Sequence, residues 1–188
     1  MSLENNIWWS KKSKIHQEIR LLKYELHSQL LLIWYSLFTL GASILTASPD
    51  NSLNITINPN LLIIFSILTL VMSCFVTSLN FKERIIKIKN CYENLVSIDT
   101  SKPDASILYS NILKLCENHS ETDYLSAKFN EIYSTKSDVR AEKIDRLLTP
   151  YELFKYFRNL ISYYFKLLIL YTLPILIISS DKIFSIFK

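Results

Sequence analysis

The feature that most constrains this chain is the run LLIIFSILTLVMSCFVTSL, Leu61–Leu79, followed without a Gly or Pro by FKERIIKIKNCYENLVSI. The first half is uncharged for about the length needed to cross a hydrocarbon core. The second half is charged, yet neither half holds a residue type that must break a helix. The spacing predicts one continuous helix over Leu61–Ile98, a membrane span prolonged as a stalk. At 1.5 Å per residue it would reach roughly 55–60 Å, more than a bilayer requires. Within the stalk Phe81, Ile85, Ile88, Tyr92 and Leu95 repeat at alternating spacings of four and three, a seam that asks for another helix beside it. The N-terminal segment, the helices that follow and a second copy of the chain are all left open as its partner.

A second uncharged stretch, Ser28–Pro49 with LLLIWYSLFTLGASIL, supplies the other arm of a hairpin. Lys11, Lys12, Lys14, Arg20 and Lys23 precede the first arm, and Lys82, Arg84, Lys87 and Lys89 follow the second. The loop between them, SPDNSLNITINPN, has no Lys or Arg. This asymmetry places both ends of the hairpin in the cytoplasm. Asn54-Ile-Thr56 and Asn118-His-Ser120 match a glycosylation pattern only by chance on that reading, and MSLENNIWW does not read as a signal peptide.

With 188 residues and a mean hydropathy of +0.18, the chain can hold both membrane helices and a folded soluble part. Its single Gly excludes Gly-rich phosphate loops. The three cysteines, Cys74, Cys91 and Cys116, are odd in number and widely spaced, so they are expected to be reduced, packed thiols and not a zinc or redox pair.

The flanking segments read as helices. Near the N-terminus Ile15, Ile19, Leu22 and Leu26 form an apolar stripe, expected to pack on the stalk, while Trp8 and Trp9 with the nearby lysines suit a membrane interface. Asp104–Cys116 is expected to turn Leu108, Ile112 and Leu115 inward, and Tyr124–Tyr133 to turn Leu125, Phe129 and Ile132 inward. Ser137–Leu148 reads as a charged helix with Val139, Ile144 and Leu147 as its apolar edge. Thr149-Pro150-Tyr151-Glu152 is a strong helix start. The helix begun there becomes apolar, with only Lys166 charged between Leu160 and Ser180 and with Pro174 in its second half. A third span is favoured over a re-entrant helix, since Lys166 can snorkel and Pro is tolerated in membrane helices. The expected organisation is therefore an N-terminal amphipathic helix over 1–29, a transmembrane hairpin over 30–80, a cytosolic helical bundle over 81–149 and a membrane-entering C-terminal helix over 150–188. The fold class is an all-α membrane protein.

Residues for chemistry are scarce. Cys116, His119 and Asp123 share helical spacing, but nucleophilic triads are rarely built on one helix. Glu117, His119 and Asp123 lack the paired His or Cys of a metal site. Neither catalysis nor a metal or other cofactor is expected. Tyr and Lys residues are spread along helices, not gathered as a nucleic-acid platform. Ser36, Thr39, Gly41 and Ser43 in the first arm, with Ser73, Thr77 and Ser78 in the second, either let helices approach closely or line a pore.

The two-span hairpin, the stalk and the segment YSNILKLCENHSETDY together resemble the SLATT family of bacterial membrane proteins. The resemblance rests on Tyr109, Glu117-Asn118-His119 and Asp123-Tyr124, and covers most of Lys11 to about Tyr133. It implies a membrane effector of anti-phage defence in the bacterial inner membrane, without catalytic residues, that oligomerises into a pore when triggered. It also implies a partner encoded nearby, a reverse transcriptase or a nucleotide synthase or sensor, so that nucleic acid is met only indirectly. A membrane-tethered module that holds or regulates such an enzyme is the alternative. An ordinary channel or transporter subunit is disfavoured by the lack of intramembrane charge beyond Lys166.

Overall fold

The computed structural model describes residues 2–47, 58–134 and 147–186, with side chains described as far as Ile177. The loop after the first span, with Asn54 and Thr56, lies outside the described residues, as does most of the expected helix Ser137–Leu148. Six helices are described: α1 Leu3–Ala47, α2 Pro59–Ser78, α3 Phe81–Val96, α4 Ala105–Leu115, α5 Glu121–Ser134 and α6 Pro150–Ile186. No strand occurs among the described residues. Among the described residues three stretches are long and apolar enough to cross a membrane, within Leu3–Ala47, Pro59–Val96 and Pro150–Ile177. The protein is an all-α membrane protein.

The long second helix is not continuous. α2 ends at Ser78, and the Leu79 and Asn80 amides fall back on the carbonyls of Val76 and Thr77. Asn80 then takes φ 47°. Left-handed backbone of this kind ends helices, and after Gly it is Asn that tolerates it best. The absence of Gly and Pro therefore did not guarantee continuity.

The chain divides into two compact units, Met1–Tyr24 with Phe81–Ser162, and Glu25–Asn80 with Tyr163–Lys188. In the first unit Phe81, Ile88 and Leu95 of the stalk seam are buried, with Ile85 and Tyr92 half-buried. Cys91 and Leu95 form a core with Ile7 of α1, and Tyr109, Ile112 and Leu113 of α4 pack against it. Burial, and then a hydrogen bond to Glu18 of α1, push the Tyr92 hydroxyl pKa up to about 12. The seam is thus used inside the chain, against α1 and α4.

Three expectations need correction. The N-terminal stripe does not pack on the stalk: Ile19, Leu22 and Leu26 are exposed, and α1 instead buries Ser13, Lys14, Gln17 and Leu21. In α4, Leu108 and Leu115 face outward, while Ala105 is buried and Tyr109, Ile112 and Leu113 are half-buried. Cys91 and Cys116 are not reduced thiols but a disulfide, with Cα atoms 6.1 Å apart. Helices α3 and α4 return antiparallel through a short turn, which brings together two cysteines 25 residues apart. Cys74 is free and exposed.

The start of α6 completes the first unit. Thr149 and Glu152 form a reciprocal capping box, Thr149 N–H to Glu152 Oε2 at 2.8 Å and Glu152 N–H to Thr149 Oγ1 at 3.2 Å. Glu152 also receives Lys128 of α5 on both oxygens at 2.9 Å. Beside this pair Phe129 stacks on Tyr156, with centroids 4.3 Å apart.

In the second unit α6 lies along α1. Pro174 is fully buried. Lacking an N–H, it cannot serve the Leu170 carbonyl one turn back. The Tyr35 hydroxyl donates to that carbonyl at 3.0 Å, and Trp34 Nε1 donates to the neighbouring Tyr171 carbonyl at 3.1 Å. Phe65 of α2 is buried against Tyr35 and Phe38 of α1.

Candidate functional site

The resemblance-bearing residues fall on the turn between α4 and α5 and on its flanks, and α1 grips this turn along one face. Ser10, Lys14 and Gln17 recur at helical spacing, with Arg20 one turn further. The Ser10 and Tyr109 hydroxyls lie 2.7 Å apart. Lys14 Nζ donates to the Glu117 carbonyl, and Gln17 Nε2 to the Asn118 carbonyl at 3.2 Å. Arg20 clasps Asp123 with both ends of its fork, Nε to Oδ1 at 2.7 Å and Nη2 to Oδ2 at 3.0 Å. Trp9 is buried, its ring 5.9 Å from that of Tyr124.

Asp123 has a second task. Its Oδ2 accepts the Ser120 amide at 2.8 Å and the Ser120 hydroxyl at 2.7 Å, while Ser120 Oγ takes the Asp123 amide at 3.3 Å. Asp123 therefore caps α5 from inside its first turn and anchors α1 with the same carboxylate. On the other flank Arg84 of α3 pairs with Glu117, Nε to Oε2 at 2.9 Å and Nη2 to Oε1 at 2.5 Å. The turn is thus held from two sides by charge-assisted pairs in fork geometry.

The electrostatics follow from this packing. The Arg84 hydrogen bond is the largest influence on Glu117 and holds its carboxyl below the ordinary range. Burial is the largest influence on Lys14 and lowers its pKa, against the opposing pull of Glu117 and Asp123. Burial also opposes the Arg20 charge, but the hydrogen bond and charge of Asp123 outweigh it, and its pKa rises.

The groups at this turn that could carry chemistry are engaged in holding the fold. Cys116 is tied to Cys91, so no thiol stands beside His119. Asp123 is consumed by Arg20 and Ser120. Among the described residues no group of three His, Cys, Asp or Glu side chains is placed to hold a metal ion. The residues that sequence reasoning missed are Lys14, Gln17 and Arg20 of α1 and Arg84 of α3. The first three carried a signal, a polar face at the same helical spacing as the apolar stripe. The pairing of Arg84 with Glu117 had none.

The second unit contains a different feature. Between α1 and α2 runs a groove of about 540 Å³ lined by Ser36, Thr39, Leu40, Ser43, Ser66, Thr69, Leu70 and Ser73. Ser36, Thr39 and Ser43 donate to the carbonyls of Leu32, Tyr35 and Thr39 at 2.7–2.8 Å. Ser66 and Thr69 donate to Leu62 and Phe65 at 2.8–2.9 Å. These five hydroxyls spend their protons on their own helices and keep acceptor capacity for whatever fills the groove. Of the small residues singled out in sequence, Ser36, Thr39, Ser43 and Ser73 line it. Gly41 does not mark a close approach, since a Cβ there would meet nothing within 4 Å.

No curated protein and no solved structure matches this chain. A family profile, however, matches residues 1–179, which takes in the hairpin, the stalk, the gripped turn and most of α6. On that match the chain belongs to the SMODS and SLOG-associating 2TM effector domain family 5, a SLATT family.

Proposed function

We propose that this protein is the membrane effector of a bacterial anti-phage defence system, acting by assembling copies of itself and permeabilising the inner membrane. The family consists of two-span effector domains associated with defence systems through SMODS and SLOG partners. The observation that carries the finer reading is the hydroxyl groove between α1 and α2. Six Ser and Thr side chains gathered on one side of the hairpin offer polar atoms where lipid gains nothing from them. In an assembly of hairpins such faces turn inward and line a path for water and small ions. In this reading the first unit faces the cytoplasm, which the Lys and Arg bias supports, and a reverse transcriptase, nucleotide synthase or sensor acts on it there. The chain itself performs no catalysis.

The test is dye and ion leakage from vesicles that hold the full chain with its operon partner and trigger. Leakage is expected, and Thr69→Leu with Ser36→Leu, which fill the groove with apolar bulk, should reduce it at least tenfold. Tight vesicles with partner and trigger present overturn the reading. The second reading, a tether for a partner enzyme, is favoured by the lock of Trp34 and Tyr35 on α6, which suits a passive anchor. Co-purification of the partner without conductance is its signature.

A further inference from the structure

Among the described residues nothing covers the apolar stripe on α1 beyond Ile15, which is half-buried. Ile19 is 41%, Leu22 46% and Leu26 55% exposed, whereas Lys14 and Leu21 on the opposite side are 1% exposed. The stalk cannot cover the stripe, because Phe81, Ile88 and Leu95 are already buried within the first unit. Lipid does not cover it either. Glu18, Arg20, Lys23 and Glu25 interleave with Ile19 and Leu22, which keeps this part of α1 out of the hydrocarbon.

We infer that the face of α1 centred on Ile19 and Leu22 is the seam along which two copies of this chain associate, in parallel and in register. The spacing at Ile15, Ile19, Leu22 and Leu26 is that of a two-stranded coiled coil. With Ile19 and Leu22 at the a and d positions, Glu18 falls at g and Lys23 at e. In a parallel pair the g residue of one helix meets the e residue five positions on in its neighbour, so Glu18 faces Lys23 of the second copy on both sides of the seam. Glu18 is set beside the stripe by the Tyr92 hydroxyl that it accepts. The preceding g and e residues, Lys11 and His16, add no such attraction. Parallel register comes from the membrane, because identical chains insert with one topology and their first spans start at one depth. Another protein would have to match both the apolar spacing and this charge pair, and a second copy does so by identity.

This inference rests on insertion in a membrane but not on permeabilisation, and the two fail separately. A seam with tight vesicles leaves it standing, and leakage without the seam does not rescue it. The experiment places a benzoyl-phenylalanine photocrosslinker at Leu22 in the full chain in native membranes, with Ile107, an exposed residue of α4, as the control position. A dimer crosslink is expected at Leu22 and not at Ile107. Lys23→Glu should cut the dimer yield several-fold, and adding Glu18→Lys should restore it. Leu22→Lys, a surface change that leaves the helical content unaltered, should abolish the dimer. A Leu22 crosslink that forms only within one chain, to lipid or to a different protein overturns the inference, as does equal dimer yield at Ile107 or no effect of Lys23→Glu.

Discussion

Tyr35 donates its hydroxyl proton to the Leu170 carbonyl at 3.0 Å, the carbonyl that Pro174 leaves without a helical partner. In water such a carbonyl would be solvated. Within a membrane-spanning segment it must be paired by protein. The contact explains how α6 carries a proline through an apolar stretch, and it fixes α6 against α1.

Tyr35→Phe should therefore cost about 1–3 kcal/mol, the penalty for stranding one acceptor away from water within the membrane. Pro174→Ala restores the backbone donor, so the same substitution in that background should cost much less. A double-mutant cycle of unfolding in detergent micelles or bicelles measures the difference. Equal losses in the two backgrounds would show that the hydroxyl and the proline are unrelated.

Asp123 holds both α1 and the start of α5. Asp123→Ala removes the partner of Arg20 and the cap on Ser120 together, and a loss of about 3 kcal/mol or more is expected. Ser120→Ala touches only the cap and should cost about 1 kcal/mol. Thermal denaturation of the two variants followed by circular dichroism checks the ratio.

Acid should weaken the Glu117–Arg84 pair in a defined direction. The folded carboxyl titrates below its ordinary value because Arg84 hydrogen-bonds its charged form. Its contribution is fully present above the unfolded pKa of about 4.5 and is lost as pH falls through the folded value. Wild type and Glu117→Gln should differ in stability at pH 6 and converge as the pH drops below about 4. A constant difference across that range would mean the carboxylate charge is not what matters.

The Cys91–Cys116 bond closes the loop that contains α4. Non-reducing mass analysis should show two hydrogens missing and one alkylatable thiol, Cys74, in the native protein. Cys91→Ser should destabilise the first unit by about 3 kcal/mol, the usual scale for a loop of this length. Three alkylatable thiols in protein purified without reductant would refute the pairing.

What was legible in the sequence is what local chemistry decides. The two uncharged runs, the Thr149–Glu152 capping box and the helical class follow from composition and spacing alone, because membrane burial and capping are set by the residues themselves. The SLATT family was legible too, and the family match spans residues 1–179. The partner of Glu117 was not, because nothing near it in sequence says that Arg84 will reach it. The break at Asn80 lay within reach of sequence, but Asn enters left-handed backbone only where the surrounding fold requires it. The face of α1 was the hardest case. Spacing offered two faces, one aliphatic and one with Lys14, Gln17 and Arg20, and hydrophobicity favours burying the first. Tertiary structure turned the second inward, because the turn between α4 and α5 supplied carbonyls to Lys14 and Gln17 and a carboxylate to Arg20, leaving only Gln17 Oε1 on that face without a partner among the described residues. Satisfied polar groups cost little to bury, and only the assembled turn could satisfy them.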